Sequence, residues 1–403
     1  MPNLAIFFLD AVRFQDVTQE NMPFLAKLAS EGTIAPLETL LAYEGLAATL
    51  FTGTYPSRHG IWTRYYSDPA GSPFRWLTPF APFLETIRSS SSVSRMIRYE
   101  VMKVSGSMSG ISYFPGVDEV PFQQLARMNL SLKHNPYEEG CFGSLPSLFD
   151  IFREAGISFN YVDHTVFDSD IRVFRKAVAQ DDDRDVVVVR FVDLDTVSHK
   201  FGLDSAERSQ TLKQTDTLVR DIVTRWRRRN PELIVMCFAD HGMVSVYSQV
   251  NIQTLLRANG LLASRDFEMF LDSTMARFWG DDGVLMKIQT VLSRLSQGKV
   301  VSEADRARFH IPFSPSCGEL IFLLEPGNAI FPNFFETRTL VRAMHGYDPE
   351  TPGLETVLLV QSPEIGHSPE LTRTKMVDVF PTVLKLLHLK VPSNCEGNSL
   401  LGG

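Results

Sequence analysis

Three apolar runs in this chain each lead into a carboxylate. LAIFFL (4–9) meets Asp10, DVVVVRFVD (185–193) leads to Asp195, and ELIVMCFAD (232–240) ends on Asp240. Unbroken apolar runs without polar alternation belong to strands covered on both faces, and such strands lie in parallel sheets. Parallel neighbours need crossover helices. Open sheets of this kind keep their sites at the C-terminal ends of the strands, where these three carboxylates fall.

The intervening segments supply the helices. MPFLAKLASEG (22–32) has Pro23 in its first turn, Phe24, Leu25 and Leu28 on one face, and Gly32 as its stop. EGLAATLFTG (44–53) reads as a small-residue helix ended by Gly53. SLPSLFDIFREAGI gives a helix and FNYVDH a strand. SAERSQTLKQTDTLVRDIVTRWRRRN is a long amphipathic helix with Leu212, Leu218, Val219, Ile222 and Trp226 on one face. Its closing arginines, Arg225 and Arg227 to Arg229, suit the negative end of the helix dipole. LETVLLVQS is a further strand and KMVDVFPTVLKLLHL a last helix. The expected fold is a doubly wound, mostly parallel sheet with helices on both faces. Residues 1–63, 141–262 and 339–403 form its core. Two stretches, 64–140 and 263–338, lack the strand–helix rhythm and are expected to form an inserted cap. Arg88, Arg95, Arg98 and Lys103 mark a basic helical piece in the first of them, read as a solvated face.

A net charge of −8 argues against a surface built for nucleic acid or anionic membrane. It does not exclude an anionic substrate, since local cations override the global sign. The four cysteines have no CxxC spacing, so neither a disulfide framework nor a zinc ribbon is expected. No apolar run approaches the roughly 18 residues that a membrane span needs. MPNLAIFFLD lacks the basic start of a secretory leader, and the expected location is cytoplasmic.

Asp195 precedes His199 by four residues, Asp240 adjoins His241, and His345 lies in MHGYD. With Asp10 they make a carboxylate and imidazole set of the kind borderline divalent cations prefer. Two such cations bind both the attacking and the leaving oxygen of a phosphoryl centre and neutralise its charge.

FFLDAVRFQD, TGTYPSRHGI, VDLDTVSHKFG, FADHGM, MHGYDPETP and the closing TKMVDVFPTVLKLLHLKVPSNCEGNSLL, in this order, resemble the alkaline phosphatase superfamily. The chain is most similar to its type I phosphodiesterase/nucleotide pyrophosphatase branch and the related predicted phosphohydrolases and phosphomutases. The resemblance implies an alkaline phosphatase-like fold and two divalent metals, zinc first, with manganese or magnesium as alternatives. It implies that Asp10, Asp240 and His241 hold one ion and Asp195, His199 and His345 the other. The implied substrate is a phosphorylated small molecule: a nucleotide, a nucleotide-sugar or another phosphodiester. A phosphotransferase or phosphomutase, a sulfatase-like relative and a silent metal- or ligand-binding homologue are the alternatives.

The chain departs from the family at the nucleophile. Ten residues before Gly53, where the family places Thr or Ser, stands Tyr43, and a one-residue shift selects Glu44. Leu46 and Ala47 replace the Asn and Arg that other branches use on the substrate oxygen. Three readings stay open: a tyrosyl nucleophile, direct attack by water with Tyr43 or Glu44 positioning it, or a silent site. A sulfatase is disfavoured because position 43 offers neither Cys nor Ser. Asp193, His59, Asp348 and Asp378 read as structural, and nothing in the spacing of His164 or His367 requires a ligand role. Lys200 and Arg13 adjoin ligands and are candidates for phosphate contact or for salt bridges. The cap aromatics Tyr65, Tyr66, Phe74, Trp76, Phe331, Phe334 and Phe335 read as packing first and as a stacking surface second.

Overall fold

The structure is a computed structural model that describes residues 3–87, 91–113, 118–163, 169–179, 184–263, 265–335, 339–362 and 373–401. The three apolar runs form the centre of one seven-stranded sheet. Its strands are β1 (Leu4–Leu9), β2 (Thr33–Glu38), β3 (Phe159–Val162), β4 (Val186–Phe191), β5 (Ile234–Phe238), β6 (Thr356–Gln361) and β7 (Thr374–Lys375), in the spatial order β7-β2-β6-β5-β1-β4-β3. β1 runs parallel to β4 and β5 on its two sides, with Leu4 opposite both Val186 and Ile234. β6 is antiparallel to both β5 and β2, which makes the sheet mixed at that edge.

Alternation along β1 explains the continuous apolar run. Leu4, Ile6 and Phe8 enter one apolar cluster, and Ala5, Phe7 and Leu9 enter another on the opposite face. The first face is covered by helix α2 (Glu44–Thr52), the helix Leu148–Glu154 and the last helix Val379–Leu386. The second is covered by α1 (Pro23–Glu31) and the long helix Ala206–Arg227, through Leu212, Val219, Ile222 and Trp226. Met22 gives α1 no side-chain cap, and Asp216 of the long helix serves instead, accepting from the N–H groups of Phe24 (3.0 Å) and Leu25 (2.9 Å). One carboxylate thereby satisfies two orphan donors and ties the two helices together.

The irregular stretches have more structure than their sequence suggests. Tyr65–Ser67 pairs with Met128–Leu130, and four strands of the second stretch form an antiparallel sheet in the order Glu268–Leu271, Met275–Trp279, Leu320–Leu324, Gly298–Val300. MARFW and LIFLL are buried at every position, so they lack the period-two alternation that identifies a half-buried strand. Side chains from both stretches, among them Phe74, Phe122, Phe270 and Phe322, share one apolar cluster. The basic piece is not wholly a solvated face: Arg98 is buried and donates to the Val120 carbonyl, and Arg88 lies outside the described residues. Among the described residues, no helix is long and apolar enough to cross a membrane.

Candidate metal centre

The strand ends converge. Asp10 leaves β1 with its N–H on the Phe191 carbonyl (2.9 Å), and Asp240 leaves the adjacent β5. After β4 the chain turns at once into helix α3 (Asp193–Phe201), where Asp170 accepts from the N–H groups of Val192 and Asp193. Asp193 therefore opens a helix and accepts from the Asp170 N–H. Asp195 and His199, one turn apart, share a face, with His199 Nε2 3.3 Å from Asp195 Oδ1. His345 enters from the opposite side of the sequence, just before Gly346, whose φ of 81° turns the loop.

Two groups of ligand atoms are close enough to hold an ion: Asp10, Asp240 and His241, and Asp195, His241 and His345. The first matches the set the resemblance implies. In the second, His241 rather than His199 completes the group: His199 Nε2 is the closer to Asp195 Oδ1 (3.3 against 3.8 Å), but its ring stands 5.5 Å from that of His345, against 3.6 Å for His241. His199 still adjoins Asp195, with its Nδ1 against the Ala343 carbonyl at 2.8 Å. That backbone bond fixes the ring and directs Nε2 inward, as an outer partner does for a ligating histidine.

Several buried atoms here have no hydrogen-bond partner among the described residues: Asp10 Oδ1, Asp195 Oδ1 and His345 Nδ1. The His241 and His345 rings stack 3.6 Å apart at 8°, and His241 Nε2 lies 3.2 Å from Asp10 Oδ1. Unsatisfied buried oxygens are costly, and three carboxylates beside three imidazoles fit divalent cations of the zinc or manganese type. Protonation equilibria express the same crowding. Burial pulls the Asp10 carboxyl up, but the close His241 imidazole and the Arg190 guanidinium outweigh it and hold it well below the usual range. Burial and the neighbouring Asp10 charge push Asp240 up to about 7. Burial opposes charge on His241, yet the surrounding carboxylates raise it to about 10. Burial, and then the other two histidines, hold His345 well below the ordinary imidazole value.

Tyr43 sits at the N-terminus of α2, with its ring edge-on to His345 at 5.6 Å. Its hydroxyl lies 2.8 Å from Thr274 Oγ1, and Thr274 donates to the Gly346 carbonyl at 2.5 Å. Thr274 has one proton, committed to Gly346, so Tyr43 is the donor in their bond. Burial, followed by the Asp272 charge, pushes the phenol up. Glu44 is held by Arg64 (2.8 Å), which also binds Asp118. Leu46 is buried in the core, and Ala47 packs against it.

Two residues at the centre were not singled out from sequence. Thr274 sits between two strands of the second irregular stretch, and no spacing marks it. Arg190 is the one charge in a strand otherwise apolar, a signal that was legible; it donates to Asp10 Oδ2 at 3.0 Å. The residues read as structural behave so. His59 adjoins Thr49, Asp348 accepts from Arg308, and Asp378 accepts from the N–H groups of Lys375 and Asn398. Arg13 is engaged by Asp16, and Lys200 lies over the Phe201 ring. Tyr65, Phe74 and Phe334 are buried packing. His164 and His367 lie outside the described residues.

The sequence pattern described as type I phosphodiesterase / nucleotide pyrophosphatase matches residues 4–348, which include all six ligand candidates. The chain belongs to this family. Ectonucleotide pyrophosphatase/phosphodiesterase family member 7 of Mus musculus is 24% identical over 258 residues, 61% of this chain and 56% of that protein. The Homo sapiens counterpart is 23% identical, with 61% of this chain and 54% of that protein covered. The match thus spans just over half the length of these relatives. Human ectonucleotide pyrophosphatase/phosphodiesterase 5 superposes with a TM-score of 0.70 at 13% identity, covering 98% of this chain and 97% of that one. An inactive murine form of the same protein, in complex with AMP, gives 0.68 at 13% identity over 98% and 97%. At that identity the likeness shows the fold, which is alkaline phosphatase-like.

Proposed function

We propose that this chain is a metal-dependent phosphoester hydrolase of the phosphodiesterase/nucleotide pyrophosphatase type, using two divalent cations. The observation that carries the reading is the convergence of six carboxylate and imidazole side chains, three of them with buried atoms left unpartnered, at the strand ends of a family member. Asp10, Asp240 and His241 would hold one ion, and Asp195, His199 and His345 the other, with His241 close to both. Bound there, two cations supply Lewis acidity and charge neutralisation to a phosphoryl group.

The chain's own residues do the rest. Arg190 and the Ala343 carbonyl orient Asp10 and His199. Leu46 and Ala47 contribute no donor to a substrate oxygen, so the positive charge of the centre bears that task. The Tyr43 hydroxyl is protonated and donates to Thr274. This supports water as the attacking group, with Tyr43 a positioning residue at the family's nucleophile position. The same bond favours one second reading, a binding homologue without turnover, because it leaves the usual nucleophile position with no free hydroxyl. The AMP in the murine relative, a nucleoside monophosphate, supports a nucleotide-type substrate. We assign the two inserted stretches, 64–140 and 263–338, to the cap that selects it.

The test is turnover of a chromogenic phosphate diester by zinc- or manganese-loaded protein, with monoester and sulfate ester alongside and Asp240→Ala as control. Diester hydrolysis lost in the variant is expected. No turnover of any ester by fully loaded protein would instead establish the silent homologue.

A further inference from the structure

Asp10 presents its two oxygens to different surroundings. Oδ2 accepts from Arg190 Nη2 at 3.0 Å, while Oδ1, buried and without a hydrogen-bond partner, lies 3.2 Å from His241 Nε2. The arginine is itself held from several sides. Its guanidinium carbon stands 4.8 Å from the centre of the Phe8 ring, and Nη1 is 3.9 Å from Asp163 Oδ1. Strand register explains why it reaches Asp10: β4 and β1 are parallel neighbours with Arg190 opposite Phe8, two residues short of the ligand. Arg190 shares the face of Val186 and Val188, which enter the apolar core, so packing over Phe8 accounts for its stem but not for its charge.

We propose that Arg190 is a positioning residue of the metal centre: it occupies one oxygen of Asp10, leaves the other for the ion, and thereby biases the site toward zinc. The inference rests on the two-metal reading given above. A carboxylate oxygen that accepts from a guanidinium is turned toward that donor and is the poorer ligand of the two, so the bond disfavours chelation through both. Zinc is content with few ligands in a tetrahedral arrangement, whereas oxygen-preferring cations such as manganese and magnesium seek about six. Restricting Asp10 to one oxygen holds the coordination number down. The positive charge of Arg190 repels every dication alike, so it alters absolute affinities without altering their ratio. The ratio therefore isolates the effect on Asp10.

The test compares the dissociation constants of zinc, by competition with a chromogenic chelator, and of manganese, by the spin-resonance signal of the free ion. It uses the full chain, Arg190→Met and Arg190→Lys. Methionine keeps an apolar stem over Phe8 and removes the donors; lysine restores one. Loss of a residue that orients a ligand changes metal affinity by about 10–100-fold. The zinc-over-manganese preference is expected to fall by about tenfold or more in Arg190→Met, with Arg190→Lys falling between Met and the natural chain. An unchanged preference in Arg190→Met with both ions bound overturns the inference while leaving the metal centre intact. A natural chain that takes up neither ion overturns the metal centre and this inference together. Should the methionine variant fail to fold, a lysine variant whose preference falls below that of the natural chain supports the inference, and one with the natural preference refutes it.

Discussion

The hairpin that carries Thr274 to Tyr43 depends on an ion pair sealed from water, and breaking that pair should be expensive. Asp272 and Arg277 both have fully buried side chains (0%), and Arg277 Nε donates to Asp272 Oδ2 at 2.8 Å. Arg277 Nη1 also donates to the Tyr65 carbonyl at 2.8 Å, which stitches the second inserted stretch to the first. The guanidinium carbon lies 4.8 Å from the Phe270 ring centre and 5.8 Å from that of Trp279, so no solvent screens the charge. Asp272→Asn removes the counter-charge without opening a cavity, and leaves a desolvated cation. Orphaning one partner of such a pair costs about 3–5 kcal/mol. Replacing both, as Asp272→Leu with Arg277→Met, is expected to recover most of that loss, since apolar neighbours solvate apolar side chains well. The assay is urea unfolding of the two variants and the natural chain at one pH and one zinc concentration. A loss below about 1 kcal/mol for Asp272→Asn, or a double variant no more stable than the single one, would refute the reasoning.

Three other outcomes are expected. Tyr43→Phe should retain most diester turnover if Tyr43 positions water, and a drop of about 1,000-fold or more would make it the nucleophile. Gly346→Ala should lower stability by about 1–2 kcal/mol and depress turnover. Its Cβ would meet the Tyr43 oxygen at 2.7 Å in a residue with φ of 81°, displacing His345 next to it; rate and melting temperature together check this. The third concerns pH. Asp240 and His241 titrate at about 7 and about 10, above their ordinary values. Each therefore stabilises the fold below its ordinary value and loses that contribution as pH rises through the folded one. Asp240 has lost its share by about pH 7, so His241 carries the loss above that, and chelator-treated protein should melt at progressively lower temperature as pH climbs from about 7 to about 10. The gain in melting temperature on adding zinc should grow over the same interval, because zinc needs these ligands deprotonated.

The core was legible because its physics is local. A run such as LAIFFL can bury six consecutive residues only between two helical layers, and Asp10 at its end is placed by that fact alone. Asp195 and His199 were legible as a ligand pair from their spacing, whereas the helix that brings them to one face follows the strand too closely for the sequence to mark it. His345 was not placeable by such reasoning; it meets His241 through packing of segments about a hundred residues apart. The four-stranded antiparallel sheet was hidden for the opposite reason, since strands as short as Gly298–Val300 and wholly buried ones such as Leu320–Leu324 leave no period to read. Thr274 likewise becomes a partner of Tyr43 only once that sheet has formed.

The central claim is that six side chains hold two divalent ions. Its most direct test is a diffraction experiment on zinc-soaked crystals, with data collected on both sides of the zinc absorption edge. Two anomalous peaks are expected, one among Asp10, Asp240 and His241 and the other beside Asp195, His199 and His345, with the first absent in Asp240→Ala. Density with no anomalous signal at this cluster, under conditions that saturate the protein with zinc, would contradict the account.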